Sequence, residues 1–136
     1  MRLAIPRETH PGENRASVTP ETVKKLVRLG ADLAIESGAG AGAGFSDEAY
    51  AAEGASVVTD RDALLGSADM VLRLRKPDLE EIGKLKSGCI HVSYLDPFNE
   101  HALIREFAAK SITAVSMEMI PRSTRSQKMD ALSSQA

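Results

Sequence analysis

Ten residues, ESGAGAGAGF from Glu36 to Phe45, are the part of this 136-residue chain best suited by type and spacing to chemistry. Gly38-x-Gly40-x-x-Ala43 fits a dinucleotide-binding fingerprint and directly follows the apolar run ADLAIE. A later run, SVV, leads to Asp60, at about the 20-residue distance from which an acid reaches a ribose hydroxyl. The chemistry offered would be pyrophosphate binding. Such a loop works by opening a helix whose free N–H groups point at the phosphates. Here the helix-start signal is Ser46, well past Gly40, and its first turn carries Asp47 and Glu48. Those acids suit the helix dipole but repel a phosphate. The helix that follows has room for only about two turns, short for a dinucleotide unit. The residues favour a tight turn in which glycines let two elements pack closely.

Other reactive types are sparse. The single cysteine, Cys89, excludes an internal disulfide and lies in the apolar run GCIHVSYL, where a small buried hydrophobe is expected before a nucleophile. Three histidines are scattered without metal-ligand spacing, so no metal site is expected. Apolar residues make up 43% of the chain, charged residues 26%, and the formal net charge is −2. That balance advertises neither a nucleic-acid partner nor an acidic membrane surface. No apolar run approaches the roughly 20 residues that span a bilayer, and MRLAIPRETHPG does not read as a signal peptide. A cytosolic protein is the expectation.

The elements that must position these residues alternate along the chain. RLAIP, ADLAIE, ASVV, DMVLRLR, CIHVSYL and ITAVSME read as six strands. Between them TPETVKKLVRLG reads as a helix with Thr19 as N-cap, Pro20 at the first helical position and Gly30 as stop. SDEAYAAEGA is a short helix capped by Ser46, DRDALLGSA one capped by Asp60, DLEEIGKLKSG another, and NEHALIREFAAKS a last one with Asn99 near its cap. The predicted fold is α/β: a parallel sheet of about six strands flanked by helices, Rossmann-like or flavodoxin-like. Residues 1–120 form this domain. MIPRSTRSQKMDALSSQA then turns polar and starts a helical pattern with no stop, so the domain is expected to be incomplete at its C-terminus.

IPRETHPGENRASVTPETV, followed in register by ESGAGAGAGFSDEAYAAEGA, ADMVLRLRKP and MEMIPRSTRSQKMDALSSQA, resembles the family that joins alanine dehydrogenase to the alpha subunit of proton-translocating NAD(P) transhydrogenase. The resemblance covers essentially the whole chain. It implies that the glycine-rich stretch belongs to a first domain, and that the true dinucleotide fingerprint lies in a second, Rossmann domain beyond residue 136.

Within the family, alanine dehydrogenases carry an Arg in an R-V-A-x-T-P stretch, a Lys in K-V-K-E-P and a catalytic His. By position these become Arg15, Arg75 (with Lys76 adjacent) and Asp96. An aspartate, with a reference pKa of about 3.9, does not shuttle protons at neutral pH without a large shift. PRSTRSQKMDALSSQA is similar instead to the transhydrogenase signature. The resemblance implies that Arg122, Gln127, Asp130 and Ser133 contact NAD(H) near its nicotinamide, with Gln127 also approaching the NADP(H) of a partner component. An amide can both donate and accept, and a guanidinium can brace a carboxamide or phosphate. Hydride transfer needs two rings held close and no acid or base, so no catalytic residue is assigned.

Residues 121–136 are thus expected to be a nicotinamide-contacting loop and the start of a helix leading to the second domain. Without the resemblance, Arg122 and Arg125 read as a solvated loop, Asp130 as a helix cap and Ser133 as surface; Arg15 and Arg75 form at most a substrate-like pocket. The implied partners are the transhydrogenase membrane and NADP-binding components, a second copy of the full subunit, and the inner membrane through those components. Two alternatives stay open: an alanine dehydrogenase-like amino-acid dehydrogenase, and a non-catalytic α/β module that binds a nucleotide or protein. The 136 residues alone are expected to turn over nothing.

Overall fold

Alternation decides the layers. In β1 (Arg2–Ile5) Leu3 and Ile5 point to one face and Ala4 to the other; in β2 (Asp32–Glu36) Leu33 and Ile35 share the first face and Ala34 the second. Both faces are buried, as expected of strands covered by helices on each side. The computed structural model describes residues 1–119. It contains β1, α1 (Pro20–Arg28), β2, α2 (Asp47–Ala52), β3 (Ser56–Val58), α3 (Arg61–Ser67), β4 (Met70–Arg75), α4 (Leu79–Ile82), β5 (Ile90–Tyr94), α5 (His101–Ala109) and β6 (Thr113–Ser116).

The six strands form one sheet in the order β3-β2-β1-β4-β5-β6, every neighbouring pair parallel. The α/β expectation holds, strand by strand. The chain winds outward from β1 through β2 to β3, then crosses back to β4 and winds the other way. That reversal puts the switch point between β1 and β4, where open α/β sheets bind ligands outside the carboxyl ends of their strands.

Two cores result. On one face Val23 and Leu26 of α1 and Tyr50 of α2 pack on Leu3, Ile5, Leu33 and Ile35. On the other, Leu64 and Leu65 of α3, Ile82 of α4 and Leu103 and Phe107 of α5 cover Ala4, Ala34 and Val71. Alanines at the centre of that second face let α3 approach closely. Each fully buried large side chain stabilises the fold by about 1.5–3 kcal/mol.

Local signals act where the sequence puts them. Thr19 caps α1 by accepting from the Thr22 N–H at 3.1 Å, Pro20 opens the helix, and Gly30 follows its C-cap. Ser46 and Asp60 cap α2 and α3 in the same way. One expectation needs correction. DLEEIGKLKSG yields only the single turn Leu79–Ile82, because Gly83 cannot sustain a helix this short and the chain continues in turns to Gly88. At α5 Asn99 stands next to the cap, as expected: the N-cap is Glu100, which makes no side-chain cap bond, and the Asn99 amide donates to Asp96 at 2.9 Å.

Candidate functional site

The carboxyl ends of β1 and β4 are crossed by a strap, residues 6–19, and the strap is fastened by its own acids. Glu8 accepts from the N–H groups of Leu74 and Arg75, at 2.8 and 3.0 Å, exactly one residue apart at the end of β4. Further along, the Ser17 hydroxyl donates to the Leu72 carbonyl, and the Tyr50 hydroxyl of α2 donates to that of Val18 at 2.7 Å.

Glu13, in the middle of the strap, gathers both arginines that the sequence singles out. Its carboxylate accepts from Arg15 Nε at 2.9 Å, Arg15 Nη2 at 2.8 Å and the Arg15 backbone N–H at 3.0 Å, and from Arg75 Nε at 2.9 Å. The Glu13 side chain is 3% exposed, while those of Arg15 and Arg75 are 60% and 46% exposed. Hydrogen bonds from Arg15 lead in pulling the Glu13 carboxyl down to about 2, with Arg75 adding to the pull. The structure brings Arg15 and Arg75 together, with an internal carboxylate between them. An open groove beside Arg15 is lined also by Asn14, Thr19, Gly42, Ala43 and Phe45.

The glycine stretch shows why glycines stand there. A Cβ on Gly40 would meet the Tyr50 ring at 2.4 Å, and one on Gly42 would meet the Asn14 carbonyl oxygen at 2.9 Å. Side chains are excluded by the packing of the loop on α2 and on the strap. The Gly38 N–H, a donor that a phosphate loop would aim at its ligand, is spent on Asp47 Oδ1 at 2.9 Å, and the Ser37 hydroxyl donates to the other oxygen. These bonds hold the Asp47 carboxyl below its ordinary range, the Gly38 N–H contributing most. A phosphate there would have to displace the chain's own carboxylate at the start of α2. The tight-turn reading of this stretch agrees with the packing.

At the end of β5, Asp96 sits with φ of 52°. Its N–H donates to Glu118 Oε2 at 3.0 Å, its Oδ1 accepts from Asn99, and Lys76 Nζ lies 3.8 Å from Oδ2 and 2.5 Å from Glu100 Oε1. The carboxylate serves a turn and an ion pair. Cys89 is fully buried, and burial pushes its thiol up, away from thiolate chemistry.

A feature that sequence reasoning missed lies behind the strap. Arg61, at the start of α3, donates to Glu81 Oε2 at 2.7 Å, to Glu36 Oε1 at 2.6 Å and to the Arg7 carbonyl at 2.9 Å. Arg73 of β4 donates to Glu81 Oε1 at 2.8 Å. Burial works to raise the Glu81 carboxyl, but bonds from Arg61 and Arg73 outweigh it and hold the group at about 2. The partners stand 25, 20 and 8 residues apart in sequence, so no local pattern announces them.

Arg122, Gln127, Asp130 and Ser133, expected at a nicotinamide, lie outside the described residues, as does Arg125. Among the described residues no group of three or more His, Cys, Asp or Glu is placed to hold a metal, and no helix is long and apolar enough to cross a membrane.

Residues 4–136 match the family described as "Alanine dehydrogenase/PNT, N-terminal domain". The whole chain is 43% identical to part of the NAD(P) transhydrogenase subunit alpha of Cereibacter sphaeroides, of which it spans 26%. It is 32% identical over 88% of its length to the alanine dehydrogenase of Halomonas elongata, spanning 32% of that protein. A crystal structure of transhydrogenase from Sinorhizobium meliloti superposes on it with a TM-score of 0.87 and 37% identity, over 96% of this chain and 39% of the other. The chain therefore spans well under half the length of the relatives it matches.

Proposed function

This chain belongs to the alanine dehydrogenase/PNT N-terminal domain family, and we propose that it works as part of the NAD(H)-binding alpha subunit of an NAD(P) transhydrogenase. In this role it helps pass hydride directly between NAD(H) and NADP(H). The observation that carries the reading is similarity along the full chain: transhydrogenase alpha subunits match all of it at 34–43% identity, whereas alanine dehydrogenases match 88–93% of it at 32%.

The geometry supports the same reading. Asp96, in the place where an amino-acid dehydrogenase of this family would carry an imidazole, is committed to Asn99 and Lys76. Arg15 and Arg75, the cations that a carboxylate substrate would want, are paired with Glu13. Direct hydride transfer asks for none of these groups, because positioning alone brings two nicotinamides together. The residues proposed to position NAD(H) are Arg122, Gln127, Asp130 and Ser133, with Gln127 near the NADP(H) of the partner. NAD(H) supplies the hydride; the chain's own part is to hold its ring.

Also proposed are an NADP-binding component and a proton-translocating membrane component as partners. To these we add a second copy of the full subunit, and a place at the inner membrane reached through the partners.

The test mixes an NADP-binding partner with this chain, or with a form of it extended to the length of the transhydrogenase alpha subunits it matches, and follows hydride transfer from NADH to an NADP analogue. Alanine and pyruvate are run alongside. Transfer by the extended form, and none by the 136 residues, is the expected result. Alanine-dependent reduction of NAD would instead establish the dehydrogenase reading.

A further inference from the structure

His91 lies on β5, a strand covered on both faces, and the residue is 1% exposed. Among the described residues neither ring nitrogen has a hydrogen-bond partner. The imidazole packs against Phe107 of α5, with ring centroids 5.0 Å apart and planes inclined by 42°. Its register partner on β4 is Val71. The polar and titratable groups around it are few. Arg73 of β4 and Glu81 of α4 act on its charge through space, and Glu81 already binds both Arg61 and Arg73. Its own strand offers the buried Ser93 hydroxyl, also without a partner, and just before the strand comes the buried Cys89 thiol, held neutral by burial. From α5 it meets an aromatic ring.

A neutral imidazole can fill this place as an apolar ring does. An imidazolium cannot, since it would stand beside Arg73 with no carboxylate left to answer it. We propose that His91 makes the docking of α5 on β5 acid-sensitive: the ring holds the packing while neutral, and proton uptake undocks α5 together with the edge strand β6. Among the described residues β6 is the outermost strand on the β5 side of the sheet, so no strand pairs with it from outside.

The direction follows from linkage. Burial, and then Arg73, push the imidazole down to about 3, against the opposing pull of Glu81. In the unfolded chain it titrates near the ordinary value of about 6.5. Stability is therefore whole above about pH 6.5 and is withdrawn as pH falls from there toward 3, because only the unfolded or undocked ring takes the proton. Between pH 7.5 and 5.0 this one residue lowers the folding equilibrium constant roughly 30-fold.

The experiment compares the full chain with its His91→Leu variant in urea titrations at pH 7.5 and 5.0, with hydrogen exchange read segment by segment at both. His10, His101 and the carboxylates are common to both proteins and cancel. The expected result is a fall on acidification roughly 30-fold larger for the parent than for the variant, with α5 and β6 the segments that open earliest in the parent at pH 5.0. An equal fall in both proteins, or opening confined to other segments, overturns the proposal. Should the variant fail to fold, ring-nitrogen NMR of the parent decides. A His91 that stays neutral in the folded protein down to pH 5.0, with hydrogen exchange of the parent opening first in α5 and β6 at that pH, upholds it; a folded-state midpoint of 6 to 7, or opening confined to other segments, sinks it.

Discussion

Two charged clusters serve the same strand and differ in depth. At the rim, Glu13 holds Arg15 and Arg75, whose side chains reach well into solvent. Behind it, Arg61 and Arg73 hold Glu81 and Glu36, with side chains 4–18% exposed. Both hold a carboxyl at about 2, so by proton affinity they look alike. Energetically they are not. The inner network joins the ends of β2 and β4 to α3 and α4, and each charge in it has left water for a named partner. The rim cluster pins a strap, and its arginines keep about half of their exposure to water. Depth, rather than the number of bonds, decides which cluster the fold depends on.

The comparison can be broken most directly at Glu81. Replacing it with alanine leaves Arg61 and Arg73 facing each other without their shared carboxylate, and a buried pair cut on one side costs about 3–5 kcal/mol. Urea denaturation at neutral pH measures it; a loss under about 1 kcal/mol would place the inner network on a par with a surface pair.

Acid should sharpen the likeness between the clusters. Both carboxyls are lowered in the fold from 4.5 to about 2, so their contributions are complete above pH 4.5 and fade as pH falls through 2. The advantage of the parent over Glu81→Gln, and over Glu13→Gln, is expected to shrink between pH 6 and pH 3. His91 acts in both members of each pair and drops out. A parent–variant gap that holds constant over that range would mean the lowered values are not those of the folded protein.

The smallest effect belongs to the rim. Arg75→Ala is expected to cost no more than about 1 kcal/mol, and a high salt concentration should remove most of it while leaving the Glu81→Ala loss nearly intact. Equal salt sensitivity of the two variants would erase the distinction of depth.

Much of the fold was legible because its signals are local. Caps at Thr19, Ser46 and Asp60 act within three residues of themselves, and the alternation of strand and helix runs names a parallel sheet. α4 is shorter than DLEEIGKLKSG suggests: Gly83 is visible in the sequence, but a glycine inside a helical pattern does not by itself say whether the helix ends there. The glycine stretch was legible only as a rejection: Asp47 spoke against a phosphate, yet nothing in GAGAGAG names Tyr50 and Asn14 as the neighbours that forbid a Cβ.

What the sequence determined by itself is the order and kind of the elements, together with the family whose motifs run the length of the chain. Only the tertiary structure decided that Glu13 stands between Arg15 and Arg75, that Glu81 is shared by two arginines, and that His91 is sealed against Phe107. The reason is range. Capping and alternation are set by neighbours a few residues away, whereas an ion pair or a buried ring depends on which strand the crossover from β3 to β4 lays beside β1.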